Sequence, residues 1–375
     1  MKIAFDLRRI GNPGIGRYMK CLAEAVIAQA PENEYLLILP PGGDDLVDAP
    51  GAVKLCSPVK YYSVREQVEL PRILSRHNVD LLHSPHFLLP LLRHCTAVAT
   101  IHDVIYLACP QDLPSRAGRL YYRAMMNACA RIATRIITDS EHSRNEIVRY
   151  LRADPEKIDV IYPGVDPAFA PVTDAAHLAA VLSRFGIDGE YILCVGIYKP
   201  RKNHAGLLRA FQRYLASGIQ AQLVIAGPMA EGEAVLRRLA AELGVAERVV
   251  FTGFVKDADL CALYSAARVC VVPSLYEGFG FTVLEAMACG APVACSRATS
   301  LPEVAGKAAL YFDPHDPEEM AGQLVHVFSD DALRDSLIEQ GRQNLQRFNW
   351  AETTRSTLAV YHQALQRPMP KAAYA

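Results

Sequence analysis

The segment SLYEGFGFTVLEAMACGAPV (274–293) carries two carboxylates, Glu277 and Glu285, divided by a glycine-rich turn and a helix start. Gly278 and Gly280 let the main chain come close to a ligand. The amides of Phe279, Gly280, Phe281, Thr282 and Val283 fall at the helix N-terminus, where partial positive charge attracts a diphosphate. Glu285 follows about one turn inside that helix. An ionised carboxylate there only accepts hydrogen bonds and suits the two hydroxyls of a ribose, while Glu277 suits sugar hydroxyls or a developing positive charge. The chemistry implied is capture of a sugar attached to a nucleoside diphosphate. A plainer reading is a surface turn followed by a solvated helical charge. A two-carboxylate hydrolase is disfavoured, because the turn and helix assign the glutamates to different parts of a ligand.

Upstream, VGIYKPRKNH (195–204) places Arg201 and Lys202 just past a predicted strand, at the edge where open α/β sheets bind ligands. Cations there neutralise a leaving diphosphate; otherwise they form an exposed basic helix cap. In the first half, RRIGNPGIGRY (8–18) is a glycine-rich turn whose Gly14 and Gly16 let helix amides face a donor's phosphates. The spacing of Gly11, Gly14 and Gly16 departs from the dinucleotide fingerprint, so a NAD-binding domain is disfavoured. His102 and Asp103 end another predicted strand, and this position makes His102 a candidate ligand contact, with Asp103 orienting local backbone. Asp257 and Asp259 form a D-x-D, but they read as an N-cap and a first-turn charge, so no metal is expected.

These residues need a scaffold, and the hydrophobic pattern supplies one. Short apolar runs over 2–6, 35–39, 79–83, 98–102 and 135–139 alternate with helical segments, and a second set covers 191–196, 222–227, 248–253, 268–274, 292–296 and 309–313. The α/β reading is two Rossmann-like domains with parallel sheets, residues 1–167 and 168–350, with a linker near Pro163 to Thr173. A closing helix over 351–366 is expected to return to the first domain, packing through Trp350, Leu358, Tyr361 and Leu365, before a frayed tail from Pro368.

The E-x7-E spacing, the A-x-A-C-G-x-P-V run after it and the closing helix together resemble the retaining GT-B glycosyltransferases of family 4. The likeness extends through GIGRY (14–18), HSPH (83–86), TIHDVIYLACP (100–110), TDSEHSRNEI (138–147), IYPGVD (161–166) and KPRKNH (199–204). It implies two domains facing across a cleft and transfer of a hexose from a nucleotide sugar with retention, without metal or other cofactor. His102 then reaches the transferred sugar near its hydroxymethyl group, Lys202 and the helix amides stabilise departure, and Glu277 steadies the cation-like sugar. Many relatives carry an arginine where Ile197 stands here, so Arg201 is its candidate substitute. The motif forms look most like bacterial mannosyltransferases using GDP-mannose; GDP-rhamnose and UDP-sugars stay open. An epimerase of the same architecture and a non-catalytic nucleotide-sugar binder are the rival classes.

The acceptor implied is a saccharide, lipid-linked in many relatives. The stretch KYYSVREQVELPR (60–72) offers Tyr61, Tyr62 and Arg65 for it. Residues 113–136 carry Arg116, Arg119, Arg123, Arg131 and Arg135 with no acidic residue, and read either as a core-packed helix with a wet basic face or as a contact to an anionic membrane. The overall charge of −1 gathers no nucleic acid, and ten cysteines without a C-x-x-C pair read as thiols of a reducing cytoplasm. No membrane span or signal peptide is expected. The expected place is the cytoplasm, at most peripheral to the inner face of the membrane.

Overall fold

The computed structural model describes residues 1–12, 14–113, 115–229 and 232–367. The chain divides into two units, residues 1–164 with the segment from Phe348 onward, and Val165–Arg347. The proposed frayed tail from Pro368 lies outside the described residues.

In the first unit, β1 (Lys2–Asp6), β2 (Glu34–Leu39), β3 (Val53–Cys56), β4 (Leu81–Ser84), β5 (Thr96–Thr100), β6 (Arg135–Thr138) and β7 (Ile158–Val160) form one sheet, ordered β3-β2-β1-β4-β5-β6-β7. Every pairing is parallel. A parallel sheet covered on both faces needs apolar side chains on both sides of its strands, hence continuous runs such as YLLIL in β2. The order reverses between β1 and β4, and such a switch point opens a crevice at the strands' carboxyl ends. The hydrophobic pattern missed only the two edges of this sheet. β3 is largely exposed, and β7 is three residues long.

The helix Trp350–Gln366 packs in this unit, and of the stripe its large residues suggested only Tyr361 is fully buried among the described residues. Leu365 is exposed, Trp350 and Leu358 are half-buried, and the buried face is Thr353, Thr354, Thr357, Val360, Tyr361 and Ala364. Thr353 and Thr357 are admitted because backbone carbonyls take their hydroxyl protons: Thr353 donates to the Tyr162 carbonyl at 2.7 Å, and Thr357 to the Thr353 carbonyl at 2.7 Å. Trp350 lies so close over Gly164 that a Cβ there would meet the indole at 2.6 Å. Tyr361 ties the helix to the sheet, its hydroxyl 2.5 Å from His83 Nδ1 in β4.

In the second unit, β8 (Tyr191–Val195), β9 (Gln222–Ala226), β10 (Val249–Gly253), β11 (Val269–Val272), β12 (Val293–Ser296) and β13 (Ala309–Phe312) form a parallel sheet ordered β10-β9-β8-β11-β12-β13. Its switch point lies between β8 and β11, and the segments leaving those strands are KPRKNH and SLYEGFG. The topology therefore brings together two motifs about 75 residues apart.

Candidate active site

Glu277 sits in the loop after β11 and Lys202 in a 3₁₀ turn after β8 (Pro200–Lys202). Their side chains meet, Lys202 Nζ to Glu277 Oε1 at 2.6 Å, with only 17% and 11% of each exposed. Ser274 Oγ donates to the same oxygen at 2.6 Å, and Arg201 Nη1 stands 4.0 Å from Oε2. Burial opposes the Glu277 carboxylate, but Lys202, Arg201 and the Ser274 hydroxyl outweigh it and hold the acid below its usual range.

The backbone around this pair is pinned from three directions. Asn203, with φ of 57°, donates through Nδ2 to the carbonyls of Pro273 at 3.1 Å and Pro314 at 2.7 Å, fastening the Lys202 turn to the end of β11. The Leu275 amide donates to the Arg201 carbonyl at 2.7 Å. Thr299 Oγ1 accepts the Glu277 amide at 3.0 Å, and Ser300 Oγ donates to the carbonyls of Glu277 and Phe279, both at 2.9 Å. The sequence reading singled out none of Asn203, Ser274, Thr299 and Ser300. Asn203 lay inside a quoted motif, but its anchoring partners are distant in sequence.

The next helix, Phe281–Ala288, begins after Gly280, whose φ of 110° and ψ of 49° suit glycine; a Cβ there would also meet Leu301 Cδ2 at 2.8 Å. The first amides of this helix, from Phe281 and Thr282, have no intrahelical acceptor, as at any helix start, and face outward with the positive end of the dipole. Gly278 and Phe279 are buried in the loop that leads there. Glu285 is only 8% exposed and accepts from the Tyr264 hydroxyl at 3.2 Å. Burial of both glutamates excludes the solvated-charge reading. Tyr264, wholly buried on the helix Asp257–Ala266, is another residue the sequence did not point out. That helix starts at Asp257 itself with Lys256 before it, which corrects the N-cap reading; Asp259 pairs with Arg184 at 2.8 Å. Among the described residues no three His, Cys, Asp or Glu side chains gather as a metal site.

In the first unit His102 lies just beyond β5, with Nδ1 2.6 Å from Asp139 Oδ2 and Nε2 3.2 Å from the Pro85 carbonyl. Asp103 accepts the Ile105 amide at 2.9 Å, a local turn contact. Gly14 precedes the helix Ile15–Gln29 with φ of 75°. Gly16 serves the turn itself: its amide donates to the Asn12 carbonyl at 2.8 Å, and a Cβ would strike the Ile10 carbonyl oxygen at 2.0 Å. The Gly16 amide is therefore spent on the turn that precedes the helix.

At the β1/β4 switch point stands a cluster the sequence only partly foresaw. Arg8 is buried and bidentate on Asp6, both contacts at 2.8 Å, and reaches Glu66 at 3.4 Å. Tyr61 packs against the Arg8 guanidinium at 4.5 Å and donates to Asp6 at 3.3 Å. Burial, partly opposed by Arg8, pushes the Glu66 carboxyl up to about 7. Tyr62, with φ of 63° and half of its surface open, contacts Arg9, which lies 3.2 Å from His86 Nε2. Arg65 points to solvent and lies 3.9 Å from Glu69. The basic helix spans Arg116–Ile132; it buries Tyr122, Met126, Cys129 and Ala130, while Arg135 lies outside it in β6, held by Asp159. Arg116, Leu120, Tyr121, Arg123 and Arg131 face water. Among the described residues no helix is long and apolar enough to cross a membrane.

A parallel sheet whose switch point holds a lysine, two buried glutamates and a helix N-terminus suits a class of proteins that bind a sugar attached to a diphosphate. Over residues 183–344 the chain matches "Glycosyl transferases group 1", and over 14–169 "Glycosyltransferase Family 4". O-antigen chain mannosyltransferase B of Escherichia coli is 35% identical over 284 residues, 75% of this chain and 74% of that one. D-inositol 3-phosphate glycosyltransferase of Acidothermus cellulolyticus is 32% identical over 308 residues, 79% of this chain and 65% of that one. In fold, the crystal structure of Anabaena HepE in complex with UDP-glucose superposes with a TM-score of 0.77 at 18% identity, covering 97% of this chain and 100% of that one. The chain belongs to the group 1, family 4 glycosyltransferases, and it is a glycosyltransferase.

Proposed function

We propose that the enzyme transfers a hexose, mannose from GDP-mannose, to a saccharide acceptor with retention at the anomeric carbon. The observation that carries this is the buried Lys202–Glu277 pair beside the Phe281–Ala288 helix start, with Glu285 held by Tyr264 one turn further on. Lys202, Arg201 and the Phe281 and Thr282 amides receive the charge that builds on the departing diphosphate, and Glu285 takes the ribose hydroxyls. Glu277, kept ionised, faces the cation-like sugar, and His102 supplies a hydrogen bond to it. The chain offers positioning and charge complementarity, with acceptor deprotonation left to the departing diphosphate. No metal is assigned a part. Mannose as the sugar is supported by the names of two Escherichia coli relatives, an O-antigen chain mannosyltransferase and a serotype-specific mannosyltransferase, and the first name supports a role in surface polysaccharide synthesis. A lipid-linked acceptor would bring the enzyme to an anionic membrane, met by Arg116, Arg123 and Arg131 around Leu120 and Tyr121.

Thermal stabilisation by GDP, UDP and ADP, each with chelator present, tests the donor reading. A GDP shift unaffected by chelator, followed by GDP release from GDP-mannose only when acceptor is added, is the expected result. Stabilisation by UDP alone overturns the GDP assignment. Altered sugar without acceptor identifies an epimerase.

A further inference from the structure

The carboxyl ends of three neighbouring strands converge on one ring. Pro85 follows β4, His102 lies two residues beyond β5, and Asp139 follows β6. His102 is hydrogen-bonded at both nitrogens, Nδ1 to Asp139 Oδ2 at 2.6 Å and Nε2 to the Pro85 carbonyl at 3.2 Å. A carbonyl has no proton to give, so Nε2 must carry one. A carboxylate has none either, and a bare Nδ1 facing it at that distance would set lone pair against lone pair. The pair therefore needs a second proton between Nδ1 and Oδ2. That proton makes the ring an imidazolium paired with the Asp139 carboxylate.

The surroundings support a cation here. Asp139 is 1% exposed, and its Oδ1 is buried without a hydrogen-bond partner among the described residues, so a neutral ring would leave a desolvated carboxylate uncompensated. Tyr18 from the Ile15–Gln29 helix meets the ring edge-on, centroids 4.7 Å apart. Asp103 adds a second negative charge nearby. His83 and His86 do not compete, because burial drives His83 down to about 3 and, with Arg9, holds His86 well below its usual range. Burial by itself lowers His102 as well, but Asp139, its hydrogen bond and Asp103 outweigh that and raise it.

We infer that Asp139 is a positioning residue that keeps His102 doubly protonated, so that the ring offers the bound sugar nucleotide only N–H donors. The inference rests on His102 being the sugar contact of the proposed function. Nε2–H, bound to a neutral carbonyl over the longer distance, is the donor that a ligand oxygen can draw away from Pro85; Nδ1–H stays with Asp139. The ligand oxygen at this place must then accept a hydrogen bond, and activity falls as pH rises through the titration of the ring.

The test is nitrogen NMR of the full-length protein labelled in histidine, with the His102 signals assigned by their loss in His102→Gln. Both His102 nitrogens should read as protonated at pH 7, and in Asp139→Asn the ring should lose its proton at lower pH than in the parent. With GDP-mannose and acceptor, the ratio of kcat/KM at pH 8 to that at pH 6 should fall about tenfold in Asp139→Asn, and Asp139→Glu should recover part of it. A neutral His102 in the parent at pH 7 overturns the inference without any variant having to fold. An unchanged titration in Asp139→Asn overturns it too. A ring that is cationic and responds to Asp139→Asn, in an enzyme whose turnover ignores His102→Gln, upholds the inference about charge and refutes the sugar contact instead.

Discussion

Replacing Lys202 with methionine separates a structural role from a catalytic one. The side chain is four-fifths buried and holds Glu277 at 2.6 Å. Stripping one partner from a fully buried ion pair costs about 3–5 kcal/mol, but Ser274 and Arg201 still attend Glu277 here, so a loss of about 1–3 kcal/mol is expected, the range of a charged hydrogen bond. Turnover should fall further. A preorganised group that meets charge only as it develops contributes on the order of 10²–10³ in kcat. Melting curves and nucleoside diphosphate release on Lys202→Met, Glu277→Gln and the double variant read both effects. The double variant should melt above Lys202→Met alone, because it removes a buried carboxylate that has lost its nearest cation, while turnover stays as low. Lys202→Met melting early yet turning over within about threefold of the parent would reduce the pair to a structural tie and refute the mechanism.

Tyr361→Phe leaves His83 Nδ1 buried without its partner and should lower stability by about 1–3 kcal/mol in denaturant titration, loosening the closing helix from β4. Glu66 is raised to about 7 by burial, so the folded protein binds more protons than the unfolded chain between the ordinary glutamate range and that value. Stability therefore falls as pH climbs through this window; Glu66→Gln should melt above the parent at pH 8 and level with it below the ordinary glutamate range. Glu277 has the opposite sign. Its lowered pKa gives stability present above the unfolded value and lost as pH falls through the folded one, so acid melting should steepen in the parent and flatten in Glu277→Gln. If the exposed arginines meet a membrane, Arg116→Glu with Arg123→Glu should abolish cosedimentation with anionic vesicles, and pelleting equal to the parent's removes that role.

Hydropathy patterning in the sequence was enough to place eleven of the thirteen described strands, because a strand buried on both faces must be a continuous apolar run. The edge strands β3 and β7 escaped it, since an edge needs only partial burial. Glycine spacing and the two glutamates marked the nucleotide segment by their own chemistry. Tyr264, Asn203, Thr299 and Asp139 left no such mark. Each acts through a hydrogen bond to a group 21 to 111 residues away, and only the packing of helices and loops around the parallel sheets brings those partners within 3.2 Å. The residue types able to do chemistry were fixed by the chain; the charges they carry were decided by burial and by neighbours that only tertiary folding supplies.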